Sequence, residues 1–196
     1  RVVLLTPVES IPLEVKGALG TLTLSKAVYT PILNALADHT PRSVGQLLRE
    51  TPDTVNLGKL QQALTILMGS GHLAVAQPES EVATAKYHTD RLNRAVMHHA
   101  RAHNRIRCLA SPVTGGGIGV DRFHQLFLLA REEGHKRPDE WASFAWKWLS
   151  VQNEGLMKDG RPLTTAEANI AELTERAIAF ERSLLPSLQA LGVTTA

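Results

Sequence analysis

The stretch from Cys108 to Ala130, CLASPVTGGGIGVDRFHQLFLLA, constrains the fold of this chain more than any other segment. Three consecutive glycines and a fourth at Gly119 follow a short apolar run and precede a segment with the apolar spacing of a helix. Glycines placed in this way allow either a loop that holds a cofactor at a helix N-terminus or a tight hairpin. The pattern favours the hairpin, followed by a helix that Asp121 caps.

The neighbouring residues argue against the cofactor loop. Pro112 and Thr114 interrupt the apolar run just before the glycines, and the Asp121 carboxylate would repel a phosphate. No P-loop lysine follows, and no acidic residue closes a second strand at the distance that a ribose requires. At least one glycine should need a positive φ, and we expect Gly116→Val to impair folding. We therefore interpret all the glycines of the hairpin as structural: Gly115, Gly116, Gly117 and Gly119.

The same residues carry a family resemblance. LASPVTGGGIGVDRFHQLFLLA resembles the glycine-bearing stretch in the C-terminal region of bacterial class I methyltransferases that have a methyltransferase regulatory domain, including the rickettsial-type protein-lysine methyltransferases. WKWLSVQNEGLMKDGRPLTTAEANIAELTERAIAFERSLLPSLQALGV resembles the closing stretch of the same proteins. In that family a Rossmann domain that binds S-adenosylmethionine precedes a regulatory region and a C-terminal part with a winged helix. The resemblance covers most of the chain and includes no known catalytic group.

The resemblance implies a non-catalytic regulatory region that positions the catalytic domain or its protein substrate. Its expected partners are an N-terminal methyltransferase domain of the parent protein, which would bind the S-adenosylmethionine, and a protein substrate. The chain begins at Arg1 in an apolar run, which fits a fragment of a longer protein. Two other interpretations stay open: a winged-helix module that binds nucleic acid through a basic helix, and a free-standing enzyme that binds S-adenosylmethionine with residues 115–119.

Composition is that of an ordinary globular protein. The chain has 196 residues, of which 43% are hydrophobic and 20% charged, enough for one core or two small ones. No apolar stretch approaches the roughly 18 residues that cross a bilayer, and the N-terminus has no signal-peptide layout. The single cysteine, Cys108, excludes an internal disulfide and suits a reducing cytosol. We therefore expect a cytoplasmic protein without a membrane partner.

Positive charge is concentrated in residues 85–107, which hold six Lys and Arg against the single acidic residue Asp90. Such a segment is either a solvated connecting helix, a docking surface for another domain, or a nucleic-acid contact. If the segment is one helix, Arg94, Arg101 and Arg105 share a face. This spacing predicts a docking surface for an acidic partner.

Periodicity predicts a mainly α-helical fold with small β elements (α+β). Residues 1–84 should form a winged-helix-like subdomain, with β-type runs over 1–5 and 15–24, three helices, and a strand that leads to a wing tip near Pro78. A basic connecting helix over 85–107 and a helical subdomain with the glycine-rich β-hairpin over 108–196 should follow.

Local signals predict helix boundaries within these parts. Ser43 should cap the second helix, Pro138 should open a helix with aromatic residues in the core, and Thr164 with Glu167 should form a capping box for the last helix. The third helix, about 53–70, has Lys59 as its only outward cation. We therefore favour protein interaction or packing over DNA binding for this subdomain.

No catalytic, cofactor-binding or metal-ligating residue is predicted. His99 and His103 lie one helical turn apart, but no Cys or carboxylate stands beside them at ligand spacing, and there is no HExxH motif. Ser111 precedes a proline and lacks the context of a nucleophile elbow. Cys108 is expected to be a buried apolar residue rather than a nucleophile.

Overall fold

A computed structural model of the chain describes residues 1–17 and 20–195 and confirms the mainly α-helical fold with small β elements. Positions 18 and 19, inside the predicted run 15–24, lie outside the described residues. The first elements are β1 (Val2–Leu4), β2 (Glu14–Gly17), β3 (Gly20–Thr23), α1 (Lys26–Ala35), α2 (Val44–Glu50), α3 (Leu57–Gly69) and β4 (Leu73–Val75). The next are α4 (Glu79–Ala100), β5 (Cys108–Ser111), β6 (Gly116–Gly119), α5 (Arg122–Glu132), α6 (Pro138–Val151), β7 (Met157–Lys158), β8 (Arg161–Pro162) and α7 (Ala166–Ala190).

Strand β1 lies between two partners. It pairs antiparallel with β4, and on its other edge Val2 forms an antiparallel bridge with Arg42. The predicted wing tip at Pro78 is wrong, because Pro78 is the residue that precedes the first turn of α4. Proline has no N–H to lose there, and Glu79 and Glu81 in the first turn complement the helix dipole.

Strand β1 contributes side chains to two hydrophobic cores, because successive side chains of a strand point to opposite sides. Val2 and Leu4 pack in the cluster of α1, α2 and α3, whereas Val3 packs in the larger cluster of the later helices. His39 adds a buried polar link, because its Nδ1 lies 2.9 Å from the carbonyl oxygen of Leu4 and its Nε2 lies 2.9 Å from Oγ of Ser187 in α7. The carbonyl can only accept, so Nδ1 carries the proton and Nε2 accepts from the serine hydroxyl.

Helix α4 differs from the predicted connecting helix over 85–107, because it begins at Glu79 and ends at Ala100. A buried arginine explains the end. Arg122 donates from Nε to the carbonyl oxygen of Ala100 at 2.7 Å and from Nη2 to that of Arg101 at 3.3 Å, and it also pairs with Glu154. A cationic donor at this place satisfies carbonyl groups that a helix C-terminus leaves free.

Several predicted helix boundaries are confirmed. Ser43 caps α2 and Asp121 caps α5 with side chains that accept backbone N–H groups, and Pro138 is the first residue of α6. The predicted cap Thr164 is wrong by one position, since the side chain of Thr165 accepts the N–H of Ala168 at the start of α7. These signals depend on neighbouring residues alone, which is why the sequence shows them.

Candidate docking surface

The glycine-rich segment is a closed hairpin in which β5 and β6 pair along all four of their residues. At the turn, the Gly115 N–H donates to the carbonyl oxygen of Ser111 at 2.9 Å. Gly115 has a φ of 69°, and a Cβ added there would lie 2.5 Å from Nε2 of Gln77. A Cβ added at Gly116 would meet nothing nearer than 3.9 Å, and its φ is not positive. Gly115 is therefore the position that requires glycine, which corrects the choice of Gly116→Val.

Buried polar side chains fix the hairpin against two helices. Asn93 of α4 donates to the carbonyl oxygens of Ala110 at 2.8 Å and Val193 at 3.0 Å, and it accepts the Ala110 N–H at 2.7 Å. Ser111 donates from Oγ to the carbonyl oxygen of Leu191 at 2.7 Å. All of these bonds satisfy backbone groups, so both side chains stabilise the local fold.

Cys108 is exposed, which contradicts the expectation of a buried apolar residue. Successive side chains of a strand point to opposite faces, and in β5 it is Leu109 and Ser111 that are buried. Cys108 therefore lies on the side of the strand that faces away from the core, although the two residues that follow it in the sequence are apolar.

The structure does not bring Arg94, Arg101 and Arg105 onto one helix face, because α4 ends before the last two. Arg94 lies within α4 with 67% of its side chain exposed, and its Nε is 3.1 Å from Glu132. The Arg101 guanidinium lies 4.8 Å from the ring centroid of Trp148, a cation–π contact. Arg105 lies beyond the helix and lines a separate cavity of about 320 Å³. The prediction that these three arginines form one docking surface on a helix face is therefore wrong.

Another set of side chains on α4 surrounds a cavity of about 480 Å³, which we call the α4 groove: Tyr87, Asp90, Arg91, Arg94, Ala95 and His98. Tyr87 is 64% exposed, and the Arg91 guanidinium lies 5.6 Å from its ring centroid. Positions 87, 91, 94 and 98 recur at the spacing of one helix face. The sequence interpretation missed Tyr87 and Arg91, although the aromatic residue one turn before an arginine was the available signal.

Within the described residues, His99 and His103 belong to no candidate metal site. No group of three or more His, Cys, Asp or Glu side chains in this part of the chain is arranged to hold a metal ion. His99 and His103 instead line the cavity that contains Arg105, together with the buried side chain of Gln125. The side-chain amide of Gln125 donates hydrogen bonds to the carbonyl oxygens of Ile106 and Val120.

A larger cavity of about 490 Å³ lies between the N-terminal loop, α5 and α7. His124 on its wall stacks on Phe180, with ring centroids 4.9 Å apart, and burial lowers the pKa of this histidine below its ordinary value. Asp121 opposes this shift, since its Oδ2 lies 3.2 Å from His124 Nδ1. The neutral imidazole is favoured, and the carboxylate serves mainly as the cap of α5.

Helix α3 offers few groups to a nucleic acid. It runs over Leu57–Gly69 rather than about 53–70, and Asn56 is its N-cap, accepting the Lys59 N–H at 3.0 Å. The Lys59 ammonium donates to the carbonyl oxygen of Thr54 at 2.9 Å. The one outward cation predicted for this helix is therefore bound to the preceding loop.

The chain is similar to a longer protein. It is 34% identical over 195 residues to the uncharacterized protein sll1526 of Synechocystis sp., a match that covers 99% of this chain and 38% of that protein. The chain thus spans well under half of the length of this relative. No protein-family model and no solved structure matches the chain. Within the described residues, no helix is long and apolar enough to cross a membrane.

Proposed function

We propose that this chain is a non-catalytic regulatory region of a class I methyltransferase that uses S-adenosylmethionine and has protein lysines as its substrates. In this proposal the chain positions the catalytic domain or its protein substrate, and the cofactor binds in a methyltransferase domain outside residues 1–196. The resemblance of residues 109–130 and 146–193 to the C-terminal region of such enzymes supports the proposal. The greater length of the Synechocystis relative also supports it, because that protein has room for a further domain.

The observation that supports the non-catalytic part of the proposal is the geometry of the glycine segment. A cofactor loop presents free backbone amides at a helix N-terminus. Here Gly116, Gly117 and Gly119 belong to a paired strand, and the Gly115 N–H at the turn already donates to the carbonyl oxygen of Ser111. At the N-terminus of α5 the Asp121 carboxylate already accepts the His124 N–H at 2.9 Å. These contacts support the proposal that the segment does not bind S-adenosylmethionine.

The buried polar groups give further support. Arg122 donates to a carbonyl group at the end of α4, and Gln125 donates to one in the following loop. Asn169 accepts the Leu156 N–H at 2.7 Å and donates to two carbonyl oxygens just before α7. A catalytic site instead directs such groups toward a place where a substrate can bind. These side chains stabilise loops, as expected of a module that acts through its surface.

Titration calorimetry with S-adenosylmethionine tests the non-catalytic part of the proposal. We expect no saturable heat from the isolated chain. A dissociation constant in the micromolar range would overturn the proposal and favour the free-standing enzyme.

The positioning role requires a test in the longer protein. Deletion of the region that corresponds to this chain should leave S-adenosylmethionine binding intact and lower methyl transfer to a protein substrate. The same transfer rate with and without the region would contradict a positioning role.

A further inference from the structure

We propose that the α4 groove is a docking site for an acidic protein segment. This inference deepens the proposed function and rests on it for the location of the segment, which is in the part of the longer protein outside this chain. The docking residues are Tyr87, Arg91, Arg94 and His98, which replace the predicted set of Arg94, Arg101 and Arg105.

The four docking residues form one continuous surface. They lie on successive turns of α4 and line the same cavity of about 480 Å³. The Tyr87 residue is 64% exposed, and the Arg94 side chain is 67% exposed. An exposed aromatic ring beside cations supplies apolar area and charge together, and aromatic residues and arginine are enriched in protein interfaces.

The charges of this surface are incompletely balanced within the protein. Lys86 is paired with Asp90, and Arg94 with Glu132, but Arg91 has no ion pair among the described residues. The Arg94 pair is exposed and worth little, so it can exchange for a carboxylate of a partner. The groove therefore has one unpaired guanidinium and one that is weakly held.

His98 lines the same groove and has one ring nitrogen without a partner among the described residues. Its Nδ1 is buried and has no hydrogen-bond partner in the part of the chain that the structure describes. Buried polar atoms are nearly always hydrogen-bonded in native proteins, and the exceptions call for an explanation. Because Nδ1 is closed to solvent, a docked segment reaches it only if the imidazole turns, so the docking site rests on Tyr87, Arg91 and Arg94.

The local chemistry favours a protein partner over a nucleic acid. The Arg91 guanidinium lies over the Tyr87 ring at 5.6 Å from its centroid, so a base that stacks on that face would have to displace this cation–π contact. Asp90 and Glu132 place carboxylates beside the cations and would repel a continuous phosphate backbone. A segment with one or two acidic side chains fits this arrangement.

Fluorescence anisotropy with a labelled peptide that has two glutamates among uncharged residues tests the docking site directly. Wild type should bind saturably and more weakly as salt increases, because exposed charges are screened. The double variant Arg91→Gln/Arg94→Gln should weaken binding by about ten-fold, and Tyr87→Ala by a few-fold without a change in charge. The matched control Arg105→Gln/Arg107→Gln removes the same charge from the same window and should change binding by less than about two-fold.

Each other outcome overturns the docking site. Absence of saturable binding by wild type, or equal losses in the two double variants, would show that the groove has no specific role. Tighter binding of an oligothymidylate of similar charge would favour the nucleic-acid interpretation. Circular dichroism melting of every variant distinguishes lost docking from lost folding. The calorimetric test with S-adenosylmethionine remains separate, so failure of the docking site is distinguishable from failure of the proposed function.

Discussion

The substitution Gly115→Ala tests whether the hairpin turn needs its glycine. At a φ of 69° an L-residue is strained, which costs about 1–3 kcal/mol. The new Cβ would also lie 2.5 Å from Nε2 of Gln77. Gln77 is an exposed side chain that can turn away, so we expect this contact to add little. The free energy of unfolding should therefore fall by about 1–3 kcal/mol, mainly from the backbone.

Thermal unfolding followed by circular dichroism measures this effect. For a protein of this size, the expected loss corresponds to a decrease in melting temperature of about 2–12 °C. Gly116→Ala is the matched control, one residue away with no positive φ and no close contact. It should leave stability unchanged or raise it slightly, because alanine restricts the unfolded chain.

A second background separates strain from the contact. Gln77→Ala combined with Gly115→Ala should recover only a small part of the loss if backbone strain dominates. Full recovery would assign the effect to the Gln77 contact instead. An unchanged melting temperature for Gly115→Ala, or an equal loss in Gly116→Ala, would refute the structural role derived from the positive φ.

Two further predictions concern the buried His39 and the partly buried His124. The single variants His39→Ala and Ser187→Ala should each lower the free energy of unfolding by about 1–3 kcal/mol. The 2.9 Å hydrogen bond between the two side chains is lost only once in the double variant, so a double-mutant cycle measured by urea unfolding should give a coupling energy of at least about 0.5 kcal/mol. Additive losses would contradict this hydrogen bond. Because burial lowers the pKa of His124, the folded protein binds fewer protons than the unfolded chain at mildly acidic pH, so stability should decrease as pH falls below about 6.5. Urea unfolding at several pH values should show a smaller decrease in His124→Gln than in the wild type, whereas His88→Gln at an exposed site should behave like the wild type.

Much of the helical structure follows from short-range patterns. The caps at Ser43 and Asp121 and the first-turn proline at Pro138 act within one turn, so the local sequence contains all the information they need. The core positions of Trp141 and Phe144 likewise follow from helical spacing, and both residues are buried.

The failures have long-range causes. Pro78 is followed by a helix rather than a second strand, because the strand that pairs with β4 is β1, at the other end of the subdomain. Cys108 faces outward because the register of β5 with β6 fixes which side of the strand is buried. Such pairings join residues far apart in the chain, and apolar character alone does not determine them.

The basic window shows how one such contact changes a functional interpretation. Arg122, which follows Ala100 by 22 positions, bonds the last carbonyl groups of α4 and ends the helix that would have aligned the predicted arginines. The six Lys and Arg side chains of residues 85–107 then differ in the contacts that they make. Five of the six have a partner within the described residues: Lys86 with Asp90, Arg94 with Glu132, Arg91 with the Tyr87 ring, Arg101 with the Trp148 ring, and Arg107 with Asn104. Arg91 has no ion pair in the part of the chain that the structure describes, and it lies in the α4 groove with the exposed Tyr87. The proposed docking surface is therefore smaller and nearer the start of the helix than charge counting predicts.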